Sequence, residues 1–220
     1  MTQECYYCQK IGTTIEHAPP KCLFPEYKIF NRDYRINLIT VKSCEEHNCE
    51  KSGSDERLRQ ILVASPFNNS LGISLTSEKW KRAFERNPKS LNDFIEGGNL
   101  IQYKLDEDSG YQDGLAISRN CDELDESLKR ICAALFYSET GLKLLGKADV
   151  LAGFTLYHDI EMQRESEAAI ENTRNYYSSK PKKGENHEVF YFHYEYSEST
   201  AIFYLVFYGY NEVVVRFRRE

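Results

Sequence analysis

Cys5-Tyr6-Tyr7-Cys8 and Cys44-Glu45-Glu46-His47-Asn48 are the two stretches that decide the fold of the N-terminal region. They present soft ligands at C-x2-C and C-x2-H spacing. Two thiolates from a tight turn and two further ligands from the start of a helix can close a tetrahedral, structural zinc site. Cys49, at C-x4-C spacing from Cys44, is an alternative to His47 as the fourth ligand. Between the two pairs lie Glu16-His17-Ala18-Pro19-Pro20 and Asn37-Leu38. This region is rich in loop-forming residues and poor in apolar ones. A bound ion would therefore supply much of its folding energy.

Composition sets the frame around these motifs. A chain of 220 residues can form one large domain or two small ones, and 41% apolar residues suffice for a core. The seven cysteines are odd in number, and five fall within the first 49 residues, which favours metal ligation over disulfides. Cys121 and Cys132 lie in a helical pattern and read as core residues, and Cys22 reads as a packed thiol. The longest apolar run, Ala201 to Tyr208, fits a buried strand and is far too short for a membrane helix. Met1 to Lys10 lacks a basic start followed by an apolar run, so a cytoplasmic protein without membrane contact is expected. The net charge is −6, divided unevenly. Residues 1–95 carry 14 Lys+Arg against 12 Asp+Glu, or +2; residues 96–220 carry 14 against 22, or −8. Nucleic-acid contact, if made, belongs to the N-terminal part, and tight non-specific binding is not expected.

The pattern predicts an α+β chain with two regions, 1–64 and 65–220. In the first, Pro19, Pro20 and Pro25 exclude helix, Leu38 to Val41 reads as a short strand, and Cys44 to about Ala64 turns helical. In the second, helices are expected over about 77–177: Ser77 to Arg86, Leu91 to Ile95, Asp122 to Tyr137 as the clearest, Thr140 to Val150, and Asp159 to Tyr177. Asp106 to Gly114 reads as an exposed loop. Antiparallel strands follow over about 188–218, joined by short turns into a meander. Phe190, Phe192, Tyr194 and Tyr196 share one face of the first; Val189, Tyr191 and His193 share the other. Their density suggests a base-stacking platform, but packing as core or as a dimer interface is the preferred reading, with His193 an ordinary sheet residue.

Taken in order, Cys5-x2-Cys8, Glu16-His17-x-Pro19, Asn37-Leu38 and Cys44-x2-His47-Asn48-x2-Lys51 resemble the HNH nuclease family, over about residues 4–62. The resemblance implies a treble-clef, ββα-metal fold and a metal-dependent endonuclease that hydrolyses phosphodiester bonds, with DNA as the leading substrate and bacterial phage defence as a setting. Such hydrolysis needs an attacking water, a base and a Lewis acid. His17 would be the base, since a neutral imidazole works near its own pKa at physiological pH. Glu16 and Asn48 would bind Mg²⁺ or Mn²⁺, Asn37 would fix the loop that supports His17, and Lys51 and Lys21 would contact phosphate. Cys5, Cys8, Cys44 and His47 would hold the structural Zn²⁺. The chain is then an HNN-like variant, with Glu16 where Asp is commoner and His47 where Cys is commoner. Nucleic acid is the implied partner, and residues 65–220 could add a homodimer contact or a partner protein. The competing reading is a non-catalytic, zinc-containing module that binds nucleic acid or protein.

Overall fold

The structure, a computed structural model, describes residues 3–49, 52–75, 99–104, 108, 110–116, 121–156 and 159–218. The helices expected at 77–86 and 91–95, and Lys51, lie outside the described residues.

The chain begins with a knuckle closed by an antiparallel bridge between Glu4 and Ile11. Gly12 ends it because a Cβ there would come within 2.7 Å of the Lys42 Cβ. Strands β1 (Thr14–His17) and β2 (Thr40–Ser43) form an antiparallel pair. Between them run a 3-10 turn at Lys21–Leu23 and one helical turn, α1 (Tyr27–Phe30), ended by Asn31 at φ 51°. Helices α2 (Glu45–Cys49) and α3 (Ser52–Ala64) follow β2. Residues 70–75 are helical.

A hairpin of β3 (Asn99–Tyr103) and β4 (Gln112–Ala116) stands next, with Leu100 largely exposed. Part of the expected loop at Asp106 to Gly114 is therefore strand. Strand β4 opens with Gln112-Asp113-Gly114, so the apolar alternation that marks a half-buried strand is missing. Helix α4 (Cys121–Thr140) ends at Gly141, whose φ of 71° suits the left-handed position after a helix. The chain then forms β5 (Lys147–Ala152), not the helix expected from Thr140 to Val150. Gly141 and Gly146 interrupt the helical spacing, and the strand ladder to the last strand satisfies the backbone instead.

Helix α5 (Ile160–Tyr177) is capped by Asp159, whose side chain accepts from Met162 N at 2.9 Å. The expected meander follows as β6 (Phe190–Tyr196), β7 (Thr200–Phe207) and β8 (Asn211–Arg218). All neighbours are antiparallel, in the order β5-β8-β7-β6. The alternating aromatics divide between the two faces as expected. Phe136 of α4 meets Tyr194 and Tyr196, with ring centroids 6.3 and 5.1 Å away. On the other face His193 is buried and stacks on Tyr177 of α5 at 4.8 Å. There Arg174 Nε donates to Glu212 Oε1 at 2.6 Å, and the Tyr204 hydroxyl donates to the same oxygen. The hydrogen bond to Glu212 drives the Arg174 pKa upward.

One continuous apolar core joins the N-terminal elements to the sheet, running from Cys5, Leu23, Leu58 and Leu62 through Leu128 and Leu135 to Phe203 and Phe217. Polar links reinforce it. The buried Tyr208 hydroxyl donates to Leu23 O at 2.6 Å. Asn68 Nδ2 donates to the carbonyls of Leu62, Val63 and Ser65 at the end of α3, while its Oδ1 accepts from Asn211 Nδ2 at 2.7 Å. No helix among the described residues is long and apolar enough to cross a membrane. Asn68→Ala should uncap α3 and remove one of the three acceptors of Asn211 Nδ2, leaving the carbonyls of Phe67 and Phe207. The expected loss is about 1–3 kcal/mol in urea unfolding, with the m-value unchanged.

Candidate metal centre

The knuckle brings its two thiols together through backbone bonds. Cys5 N donates to Lys10 O at 2.8 Å, and the N–H groups of Tyr7 and Lys10 point at Cys5 Sγ and Cys8 Sγ, each at 3.5 Å. Tyr6 N donates to Lys42 O at 2.8 Å, which lays the knuckle along β2. Cys44 leaves β2 as the residue before α2, and its carbonyl accepts from Asn48 N at 3.1 Å. His47, three residues on, shares its face. The ring of Tyr7 meets the His47 imidazole edge-on at 5.0 Å and fixes its plane.

Ligand atoms of Cys5, Cys8, Cys44 and His47 all lie within 4.8 Å of one another. Cys8 Sγ and Cys44 Sγ are 3.8 Å apart; His47 Nδ1 is 3.8 Å from Cys5 Sγ and 3.1 Å from Cys44 Sγ. A tetrahedron with Zn–S bonds of about 2.3 Å has edges of roughly 3.8 Å. The donor set and its spacing therefore fit a closed, structural zinc ion. Burial opposes charge on Cys5, but bonds from backbone N–H groups, Tyr7 foremost, outweigh it and bring the pKa down to about 6. The same bonds favour the thiolate, the form in which cysteine binds a metal. Burial, joined by the neighbouring thiols, raises Cys8. His47 belongs to the group; the alternative ligand, the Cys49 side chain, lies outside the described residues. Cys22 stands apart and donates to Asp55 O at 3.6 Å, and Cys132 is packed in α4.

The knuckle also docks on α4. The Tyr7 hydroxyl donates to Glu126 Oε1 at 3.4 Å and Arg130 lies 5.8 Å from the Tyr7 ring; just beyond the helix, Lys143 Nζ donates to Cys8 O at 2.8 Å.

The other sequence candidates gather around β1. His17 ends that strand, half-buried, opposite Thr40. Its pKa is lowered, first by burial and then by the charges of Lys21 and Arg35, so the imidazole stays neutral at physiological pH. Ala18 N bonds to Ile39 O, so the carbonyl of Ile15 points to the outer edge of β1. Asn48 Nδ2 donates to that carbonyl at 3.5 Å, which sets α2 along the same edge. Asn37 is exposed, with φ 52°, and lines a small cleft with Ala18, Pro19 and Asn186. Glu16 alternates to the opposite face and is 5% exposed. There its charge adds to burial in driving the Tyr6 phenol upward. Among the described residues no second group of three His, Cys, Asp or Glu gathers ligand atoms. The inward carboxylate of Glu16 and the Asn48 amide on the outer edge do not form such a group. Arg35 escaped sequence reading; no motif marks it, and the turn preceding Asn37 brings it near His17.

No protein-family model, no curated protein and no solved structure matches this chain. Metal analysis of purified protein should find about one zinc per chain, as a closed four-ligand site holds. Cys5→Ser and Cys44→Ser should abolish that zinc and lower the melting temperature, whereas Cys22→Ser should change neither.

Proposed function

We infer that the chain is a metal-dependent endonuclease of the HNH type, acting on DNA, with residues 4–62 as a treble-clef, ββα-metal unit. The carrying observation is the setting of His17. A neutral imidazole ends the first strand of a hairpin whose two flanks hold the four-residue metal group, and the charges of Lys21 and Arg35 act on it. Residues 21–42 carry five Lys+Arg against two Asp+Glu, or +3, a local cationic surface on an acidic chain.

In this reading His17 takes the proton from the attacking water. A base is useful only when unprotonated, and burial together with the two cations keeps it so. Lys21 and Arg35 draw the phosphodiester towards β1 and offset its charge as the water attacks. Lys51 would add a further phosphate contact. Asn37, beside Ala18 and Pro19, holds the loop behind His17. Glu16 and Asn48 would hold Mg²⁺ or Mn²⁺, which would stabilise the leaving oxygen. The zinc group takes no part in the chemistry; it sets the knuckle and α2 against the hairpin.

The burial of Glu16 favours a second reading. A carboxylate turned to the interior beside Tyr6 suits a zinc-stabilised module that binds nucleic acid or protein without cutting it. Plasmid cleavage with added Mg²⁺ or Mn²⁺ separates the two. His17→Ala should lower the rate about 10²–10⁴-fold, the usual worth of a general base, while zinc content stays unchanged. Cutting of equal rate in both proteins refutes the assignment, and DNA retardation without cutting in either selects the binding module.

A further inference from the structure

Strand β5 lies at one side of the four-stranded sheet, with β8 on its inner flank and no described strand on its outer one. The ladder to β8 shows which backbone groups are committed. Gly153 N donates to Glu212 O at 2.8 Å, in register with the pairs from Lys147↔Arg218 to Ala152↔Val213. Bonded positions alternate in an antiparallel pair. Lys147, Asp149 and Leu151 therefore bond inward, while Ala148, Val150 and Ala152 turn their N–H and C=O groups to the outer flank. Such a flank is a template for another strand unless it is guarded. Residues 147–152 contain no proline, and their one lysine is followed two residues on by Asp149, an exposed carboxylate that also pairs with Arg218 of β8 at 2.8 Å.

That spacing identifies the occupant. A second copy of β5, antiparallel about a two-fold axis, can be centred on Ala148, Asp149 or Val150. Centring on Asp149 sets the two aspartates against each other. Centring on Val150 sets Lys147 against Gly153 and Asp149 against Leu151, with no charge matched. Centring on Ala148 sets Lys147 against Asp149 of the second copy, and does so twice. Both matches fall at non-bonded positions, where side chains approach most closely. The two Ala148 residues then exchange both backbone bonds at the axis, with small side chains.

We propose that β5 is a dimer edge: two copies of the chain pair through it in the Ala148-centred register, joining two four-stranded sheets into one of eight strands. The complementarity is of the strand with itself, so the partner is this same chain. The proposal is independent of the nuclease reading.

Sedimentation equilibrium over a concentration series tests it. The full chain should reach twice its mass of 25.7 kDa. In Ala148→Pro the missing N–H is the outward one, so the ladder to β8 persists and the dimer is lost. Lys147→Asp opposes like charges and should weaken the dimer about tenfold, and the exchanged pair Lys147→Asp with Asp149→Lys should restore it. A wild-type chain that stays monomeric at the highest concentration overturns the proposal. So does a dimer whose dissociation constant is unmoved by Lys147→Asp, a readout that stands even if Ala148→Pro does not fold.

Discussion

The convergence of Cys5, Cys8, Cys44 and His47 into one group that could hold a metal ion is the constraint on which the N-terminal region depends. The hairpin there has two strands of four residues each, and an isolated hairpin of that size is marginal in water. Between its strands lie only a 3-10 turn and one helical turn. The ligand group joins the knuckle, the exit of β2 and the first turn of α2 at one point. A structural zinc site contributes on the order of 10–16 kcal/mol of apparent binding free energy in small zinc folds. Its effect reaches further, because Tyr7 links the metal group to α4 and the Cys8 carbonyl links it to Lys143 just after that helix.

The sheet stands on different physics. Its α4 face is hydrocarbon: Phe203, Leu205, Phe207, Val213, Val215 and Phe217 are buried there. Its α5 face holds a smaller cluster of Ile170, Tyr177, Tyr204, Val206 and Val214, together with the Arg174–Glu212 pair. A buried carboxylate is tolerated only when paired and hydrogen-bonded. Glu212 satisfies both conditions through Arg174 and Tyr204. The pair thereby fixes how α5 is turned against β8.

How much of this was legible in the sequence depended on the range of the signal. The four metal-group residues were readable because ligand type and spacing are local. So were α4, from the apolar stripe of Leu124, Leu128, Ile131, Cys132 and Leu135, and the meander, from alternating aromatics between turns. The reading failed where local pattern and ladder pairing disagree. Leu142, Leu144 and Leu145 mimic a helical stripe after Thr140, but Ala148 and Val150 alternate, and the partner that makes them a strand lies at the far end of the sequence. Strand β4 was invisible because Gln112-Asp113-Gly114, at its start, carries no apolar period of two. In the candidate site, His17, Asn37 and Asn48 were placed by motif order. The inward turn of Glu16 and the nearness of Arg35 depend on burial and on backbone turns at Asn31 and Asn37, which no spacing encodes.

The bond from Tyr208 to the Leu23 carbonyl spans 185 residues. During translation every metal ligand has been made by residue 47, long before that bond can form. At about 5–20 residues per second, the ribosome needs roughly 10–40 s to travel from Leu23 to Tyr208. Ion capture can thus come first in the life of the nascent chain, while the underside of the captured region waits, uncovered, for the final hairpin. A cell short of zinc would lose the earliest folded piece, and with it the surface on which the last one has to land.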